Sequence, residues 1–179
     1  INFYWETRNH ASNEFLIDKY SKWKFNSVIE IGCNCGNRLF NISKLNKNSC
    51  LAGIDINDKA IEFGKKMLQN EHVENINLVY GRAELLDIYN KDSFDIAFSW
   101  ATLIYIRPKI IINVLQNMMR IAKKAVILIE MNTNGDSRDP KGLGIYYEPG
   151  NWKRNYRLLF NTLGVPDNKI RIENVSKEI

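Results

Sequence analysis

The chain has 179 residues, 45% of them hydrophobic, which is the size of one ordinary domain with enough apolar material for a sizeable core. Its net charge of +5 comes from basic and acidic residues interleaved along the chain, so it admits an anionic partner without demanding one. No run approaches the roughly 18 apolar residues of a membrane span and no basic-then-apolar leader opens the chain, so neither insertion nor export is expected, and the cytoplasm is the expected compartment.

The odd set of cysteines, Cys33, Cys35 and Cys50, argues against a disulfide framework and for free thiols. A closed zinc site needs four donors, and the histidines, His10 and His72, stand far from Cys33 and Cys35 in sequence, so no metal site is expected. The sequence opens on Ile1 and not on methionine, so a few residues are expected to precede it.

In chain order, Phe15, Leu16 and Tyr20 predict a first helix over His10 to Tyr20. Ser27 to Ile31 reads as a strand, followed by a turn with Gly32 and Gly36 and a helix carrying Leu39, Phe40, Ile42 and Leu45 through Lys47. Cys50 to Ile56 is a second strand, with Asp58 capping a helix that carries Ala60, Ile61, Phe63, Met67 and Leu68. Asn75 to Tyr80 and Phe94 to Ser99 are the third and fourth strands, and Pro108 opens a helix with Ile111, Val114, Leu115 and Met118. Ala125 to Met131 is a fifth, an apolar run expected to be buried on both faces. Asn132 to Asn151 has neither helical nor strand period. After it come a helix containing Trp152, Tyr156, Leu158, Leu159 and Leu163, and an alternating strand over Lys169 to Val175.

Strands alternating with helices predict an α/β fold, a single domain over residues 1–179 with a doubly wound, Rossmann-like, mostly parallel sheet and helices on both faces. Ligands in such sheets bind at the carboxyl ends of the strands, where the conspicuous polar residues of this chain cluster. Glycines at 32 and 36 let the main chain approach a ligand and leave helix amides free behind it. The nicotinamide pattern Gly-x-Gly-x-x-Gly fails, with asparagine at 34 and 37, which disfavours a dehydrogenase. An acid two residues before the first of the spaced glycines fits instead, at Glu30, Gly32 and Gly36, with Asn34 in the middle position.

In that turn the chain resembles the class I S-adenosylmethionine-dependent methyltransferases. Gly53-Ile54-Asp55-Ile56-Asn57 resembles their second-strand end, Gly81-Arg82-Ala83-Glu84 their adenine-side loop, and Phe94 to Ile106 their fourth strand and following turn. Glu30 to Gly36 with Leu39, and Leu103-Ile104-Tyr105-Ile106 with Pro108, are most similar to bacterial methylases associated with pseudaminic acid biosynthesis. Arg82 stands where many relatives carry an acid, and Trp100 and Tyr105 also depart from common residues.

The resemblance implies S-adenosylmethionine as cofactor. It places Glu30, Gly32, Asn34, Gly36, Asp55, Ile56, Arg82, Ala83, Glu84, Ser99 and Trp100 around it, with Asp55 on the ribose hydroxyls. Glu30, a carboxylate in an apolar strand, needs a partner, either the amino group of the bound cofactor or an internal salt bridge. Methyl transfer from a sulfonium is an in-line displacement in which alignment supplies much of the catalysis, so a general base is optional. Glu130, Tyr105, Tyr146 and Glu148 are the candidates. Neither the Asp/Asn-Pro-Pro-Tyr signature of amino-methylating nucleic-acid enzymes nor a Pro-Cys is present, which favours a small-molecule acceptor. The alternative is an RNA-binding or RNA-modifying protein using Lys153, Arg154, Arg157, Lys169 and Arg171 beside an exposed Trp152. Family members add a final antiparallel strand beside the fifth, which is expected to belong to residues beyond this sequence. The Asn132 to Asn151 segment leaves the ligand side of the sheet and is expected to fold over the cofactor as a lid.

Overall fold

The computed structural model describes residues 2–7 and 24–173. The helix expected over His10 to Tyr20 lies outside them. A short helix α1 (Asn2–Glu6) precedes β1 (Ser27–Ile31), α2 (Asn37–Ser43), β2 (Cys50–Asp55), α3 (Asp58–Asn70) and β3 (Ile76–Tyr80). Then come β4 (Phe94–Trp100), α4 (Pro108–Ile121), β5 (Ala122–Ile129), the short strands β6 (Ile145–Glu148) and β7 (Asn151–Lys153), and α5 (Tyr156–Thr162). Asn57 caps α3, accepting from Ala60 N through its side chain, one residue before the expected Asp58. Pro108 opens α4, where its missing N–H leaves nothing unsatisfied.

The main sheet is all-parallel in the order β3-β2-β1-β4-β5. The period of two along its central strands sorts the core into two layers. Val28, Leu51, Ile96 and Phe98 pack with Leu39 and Ile42 of α2 and Ile61 and Leu68 of α3. Ile29, Ile31, Ile54 and Ala97 pack with Ile111, Val114, Leu115 and Met118 of α4 and Leu159 of α5. Helices therefore cover both faces, as the alternation of elements predicts. Among the described residues no helix is long and apolar enough to cross a membrane.

Three expectations need correction. The fifth strand is only half-buried, with Lys123 and Lys124 exposed, because among the described residues it is the edge of the sheet and pairs with β4 alone. Its apolar run reflects one covered face and a partly covered edge. The Asn132–Asn151 segment is not without strand: β6 lies inside it and pairs antiparallel with β7, where Trp152 was expected to be helical. The expected strand at Lys169 to Val175 is, as far as Glu173, a short 3-10 turn (Asp167–Lys169) followed by irregular chain, with Arg157 donating to Asp167 and to Ile170 O. The described residues hold seven strands, five in the main sheet and two in a separate hairpin, and among them none but β4 lies beside β5, where the expected final antiparallel strand would pair.

Candidate functional site

A cavity of about 730 Å³ opens over the carboxyl ends of β1, β2 and β4. Its floor follows from where β1 stops. Gly32 turns with φ of 79° and donates to Ile54 O at 2.8 Å. A Cβ on Gly32 would lie 2.1 Å from Thr102 Oγ1, so glycine is required both by conformation and by space. Asn34, in the position where the motif has glycine, adopts φ of 50°, a left-handed conformation that asparagine tolerates better than most residues. Gly36, with φ of 76°, leads into α2 behind the cavity wall.

Asp55 ends β2 with its carboxylate at the cavity. One oxygen accepts from Asn34 N at 2.7 Å and the other from Asn57 N at 2.8 Å, so this side chain ties the glycine turn to the start of α3. Each oxygen keeps lone-pair capacity for a further donor. Across the cavity Arg82 and Glu84 pair with each other at 2.8 Å, on either side of Ala83.

Glu30 is fully buried on β1, opposite Gly53 and Phe98. Its partner is internal: Arg38 of α2 reaches Oε1 at 3.3 Å, while Oε2 has no hydrogen-bond partner. Burial pushes its pKa up to about 7, with the Arg38 charge and hydrogen bond opposing the rise. The same guanidinium lies 4.7 Å from the centre of the Trp100 ring and lines the cavity, so Arg38 links the buried acid to the ligand side.

The far wall is organised by two charged side chains on opposite sides of the turn Leu103–Tyr105. Glu130, just past β5, accepts the Ser99 hydroxyl at 2.6 Å and the backbone N–H groups of Thr102, Leu103 and Ile104 at 3.0, 3.0 and 3.3 Å. Burial raises its pKa and those four donors oppose the rise. Arg154, just past β7 and fully buried, donates to the carbonyls of Leu103, Ile106, Leu143 and Trp152. One side chain satisfies the turn's amides and the other its carbonyls, and the turn in its turn presents Tyr105 to the cavity.

Of the residues named from sequence, Gly32, Asn34, Asp55, Ile56, Arg82, Ala83, Glu84, Trp100 and Tyr105 line this cavity together. Glu30, Gly36 and Ser99 stand behind it, Glu130 faces the turn, and Tyr146 lines a neighbouring hollow with Trp152. Tyr4, Arg38, Asn57, Thr102, Arg107 and Lys109 also line it and are not among the site residues named from sequence. Asn57 lies within a motif quoted from the sequence and was within reach of a sequence reading; Arg38 in the next helix turn and Tyr4, which arrives from α1, whose Trp5 packs on Phe40, are marked by no local pattern. Cys33 and Cys35 are buried free thiols, their pKa values raised by burial, and Cys50 is a free exposed thiol.

Residues 24–142 match the family described as "Methyltransferase domain". The chain is 31% identical over 137 residues to a probable cobalt-precorrin-6B C(15)-methyltransferase (decarboxylating) of Methanocaldococcus jannaschii, covering 73% of each. It is 27% identical over 119 residues to a tRNA (guanine-N(7)-)-methyltransferase of Prochlorococcus marinus, covering 59% of this chain and 57% of that protein, so it spans a little over half of that relative's length. Among solved structures it is similar to a SAM-dependent methyltransferase from Aquifex aeolicus, with a TM-score of 0.54, 16% identity, and coverage of 64% of this chain and 62% of that one.

Proposed function

The chain belongs to the methyltransferase domain family, and from that premise we propose that it transfers a methyl group from S-adenosylmethionine to a small-molecule acceptor. The observation that carries this reading is Asp55, a carboxylate ending a parallel strand beside the glycine turn, in a cavity of a size suited to a small ligand. The residues present fit the cofactor. Asp55 has lone pairs left for the ribose hydroxyls, Gly32 and Asn34 bring main chain to the ligand, and Ala83 sits where an adenine edge would meet the loop after β3. Arg38, which pairs with Glu30 through Nη1 alone, lines the cavity with donors left for a carboxylate, a role that the sequence reading gave to no residue.

The bound cofactor supplies a methyl group already activated on a sulfonium, so what the chain contributes is orientation and exclusion of water. Gly32 and Thr102 close one side of the reaction chamber, and Trp100 holds Arg38 on the other. Tyr105 is the candidate acid–base group that reaches the cavity, and we assign it to the acceptor side. Glu130 we reassign from base to positioning residue, because its oxygens are committed to the turn below Tyr105.

The RNA alternative loses its main support in the basic cluster at the end of the chain. Arg154 is buried, Lys153 lies over the Tyr147 ring at 3.3 Å, Arg157 pairs with Asp167 and Arg171 with Glu173, and Trp152 is half-buried and packed edge-on against Tyr146. The closer resemblance of Glu30–Gly36 and Leu103–Ile106 to methylases of pseudaminic acid biosynthesis favours a sugar-type acceptor in a bacterial cytoplasm. Calorimetric titration tests the reading: S-adenosylmethionine and its demethylated product should bind and NAD should not, and the reverse order of affinities would overturn it.

A further inference from the structure

The cavity described above does not end at Trp100. Tyr105, Arg107 and Lys109 line its far side and also line a second, open hollow of about 650 Å³ together with Pro108, Tyr146, Gly150 and Trp152. Three shared residues place the second hollow beside the first, in the position of a vestibule. The hairpin, a separate two-stranded sheet, supplies one side of it, and the turn held between Glu130 and Arg154 supplies the other.

The two neighbouring cavities differ in the carboxylates that line them. Asp55 and Glu84 line the first cavity, whereas no carboxylate lines the vestibule among the described residues. Arg107 and Lys109 are exposed, and neither makes an ion pair or a side-chain hydrogen bond with another described residue. That is unusual for this protein's cations near the site, since Arg38 is committed to Glu30 and Arg82 to Glu84. Two cations on one wall without a counter-charge repel each other, and an anion between them relieves the repulsion. Opposite them Tyr146 and Trp152 pack edge-to-face at 5.3 Å, and Tyr105 and Tyr146 are 62% and 59% exposed, which leaves ring faces for a planar or sugar ring to lie against.

We propose that the vestibule is the acceptor site and that it takes a small anionic ring compound, its phosphate or carboxylate held by Arg107 and Lys109 and its ring held against Tyr105, Tyr146 and Trp152. The proposal rests on the reading of the first cavity as the methyl-donor site. Charge and position agree: an acid group held at Arg107 and Lys109 leaves the remainder of the molecule directed along Tyr105 into the chamber that Gly32 and Thr102 close.

The test is a set of titrations of the full chain saturated with S-adenosylhomocysteine, read by tryptophan fluorescence and by calorimetry. Phenyl phosphate, which carries a ring and an anion, should bind at least about fivefold tighter than inorganic phosphate. Arg107→Ala combined with Lys109→Ala should weaken phenyl phosphate by at least about tenfold, as expected for loss of charge-assisted hydrogen bonds. The same double variant should keep the urea-unfolding midpoint of the unaltered chain, which shows that it folds. Tyr146→Ala should remove the advantage of phenyl phosphate over phosphate. Binding of phenyl phosphate that is absent, or unchanged in the double variant, would overturn the proposal while leaving the donor site standing. Failure of S-adenosylhomocysteine to bind the unaltered chain would instead remove the premise. An RNA oligonucleotide bound tightly and lost in the double variant would reassign the surface to nucleic acid and overturn the small acceptor.

Discussion

Over β1 and β2 the site is made by main chain: Gly32 and Asn34 in left-handed conformations, with one carboxylate, Asp55, bridging the turn to the next helix. Over β4 and β5 it is made by two charged side chains, half-buried Glu130 and fully buried Arg154, which hold the Leu103–Tyr105 turn from opposite sides. The first half is local, since its parts follow one another within a strand-turn-helix unit and its neighbour. The second half exists only after the sheet edge, the hairpin and α5 have come together. A cofactor end built on main chain is compatible with many acceptors, and an acceptor end built on long-range side chains is where one member of a family can differ from another.

The comparison can be broken most severely at Arg154. Arg154→Met keeps volume but removes every hydrogen bond of the guanidinium, leaving the carbonyls of Leu103, Ile106 and Leu143 without it, and should cost roughly 3–5 kcal/mol in urea unfolding. A loss below about 1 kcal/mol would mean that the far end is not organised by this residue. Gly32→Ala attacks the near end. It combines a positive φ with a Cβ placed on Thr102, and roughly 2–4 kcal/mol of strain should appear as weakened cofactor binding, measured by calorimetry, together with lower stability.

Glu30 sharpens the comparison by pH. Its carboxyl titrates at about 7 in the folded protein against an ordinary value of 4.5, raised by burial, so between these values the folded state holds a proton that the unfolded chain has released. The stability it contributes is full below about pH 4.5 and is lost as the pH rises through about 7. Glu30→Gln keeps an acceptor for Arg38 and removes the titration. Its stability relative to the unaltered chain should match near pH 4.5 and exceed it by up to about 3 kcal/mol above pH 7, in urea unfolding followed across the range. A gain that shrinks as pH rises would contradict the assignment.

The difference between the two halves also explains what the sequence disclosed. The five parallel strands were legible because each is a short apolar run bounded by turn residues, and the glycine turn and Asp55 because their spacing is fixed by the unit that contains them. Glu30's internal partner was legible only as an alternative, since Arg38 in the next helix turn carries no mark that distinguishes it from a surface arginine. Glu130 stands among the candidate bases because its sequence position at a strand end says nothing about which donors surround it. The hairpin was missed because strands of four and three residues have too few positions to show a period of two, and Trp152 near Tyr156 and Leu159 mimicked helical spacing. Arg154 looked like one more surface cation, and its burial follows from carbonyls contributed by three separate segments.

The central claim is that Asp55 receives the ribose of the bound cofactor, and removing Asp55 alone is ambiguous because its carboxylate also holds Asn34 and Asn57. A double cycle separates the two roles. S-adenosylhomocysteine and its 2′-deoxy analogue are titrated calorimetrically into the unaltered chain and into Asp55→Ala. Loss of the 2′-hydroxyl should weaken binding to the unaltered chain by about tenfold to a hundredfold, the range of a hydrogen bond to a charged group, and should change binding to Asp55→Ala by less than about threefold. Equal losses in the two proteins would show that Asp55 does not carry the ribose.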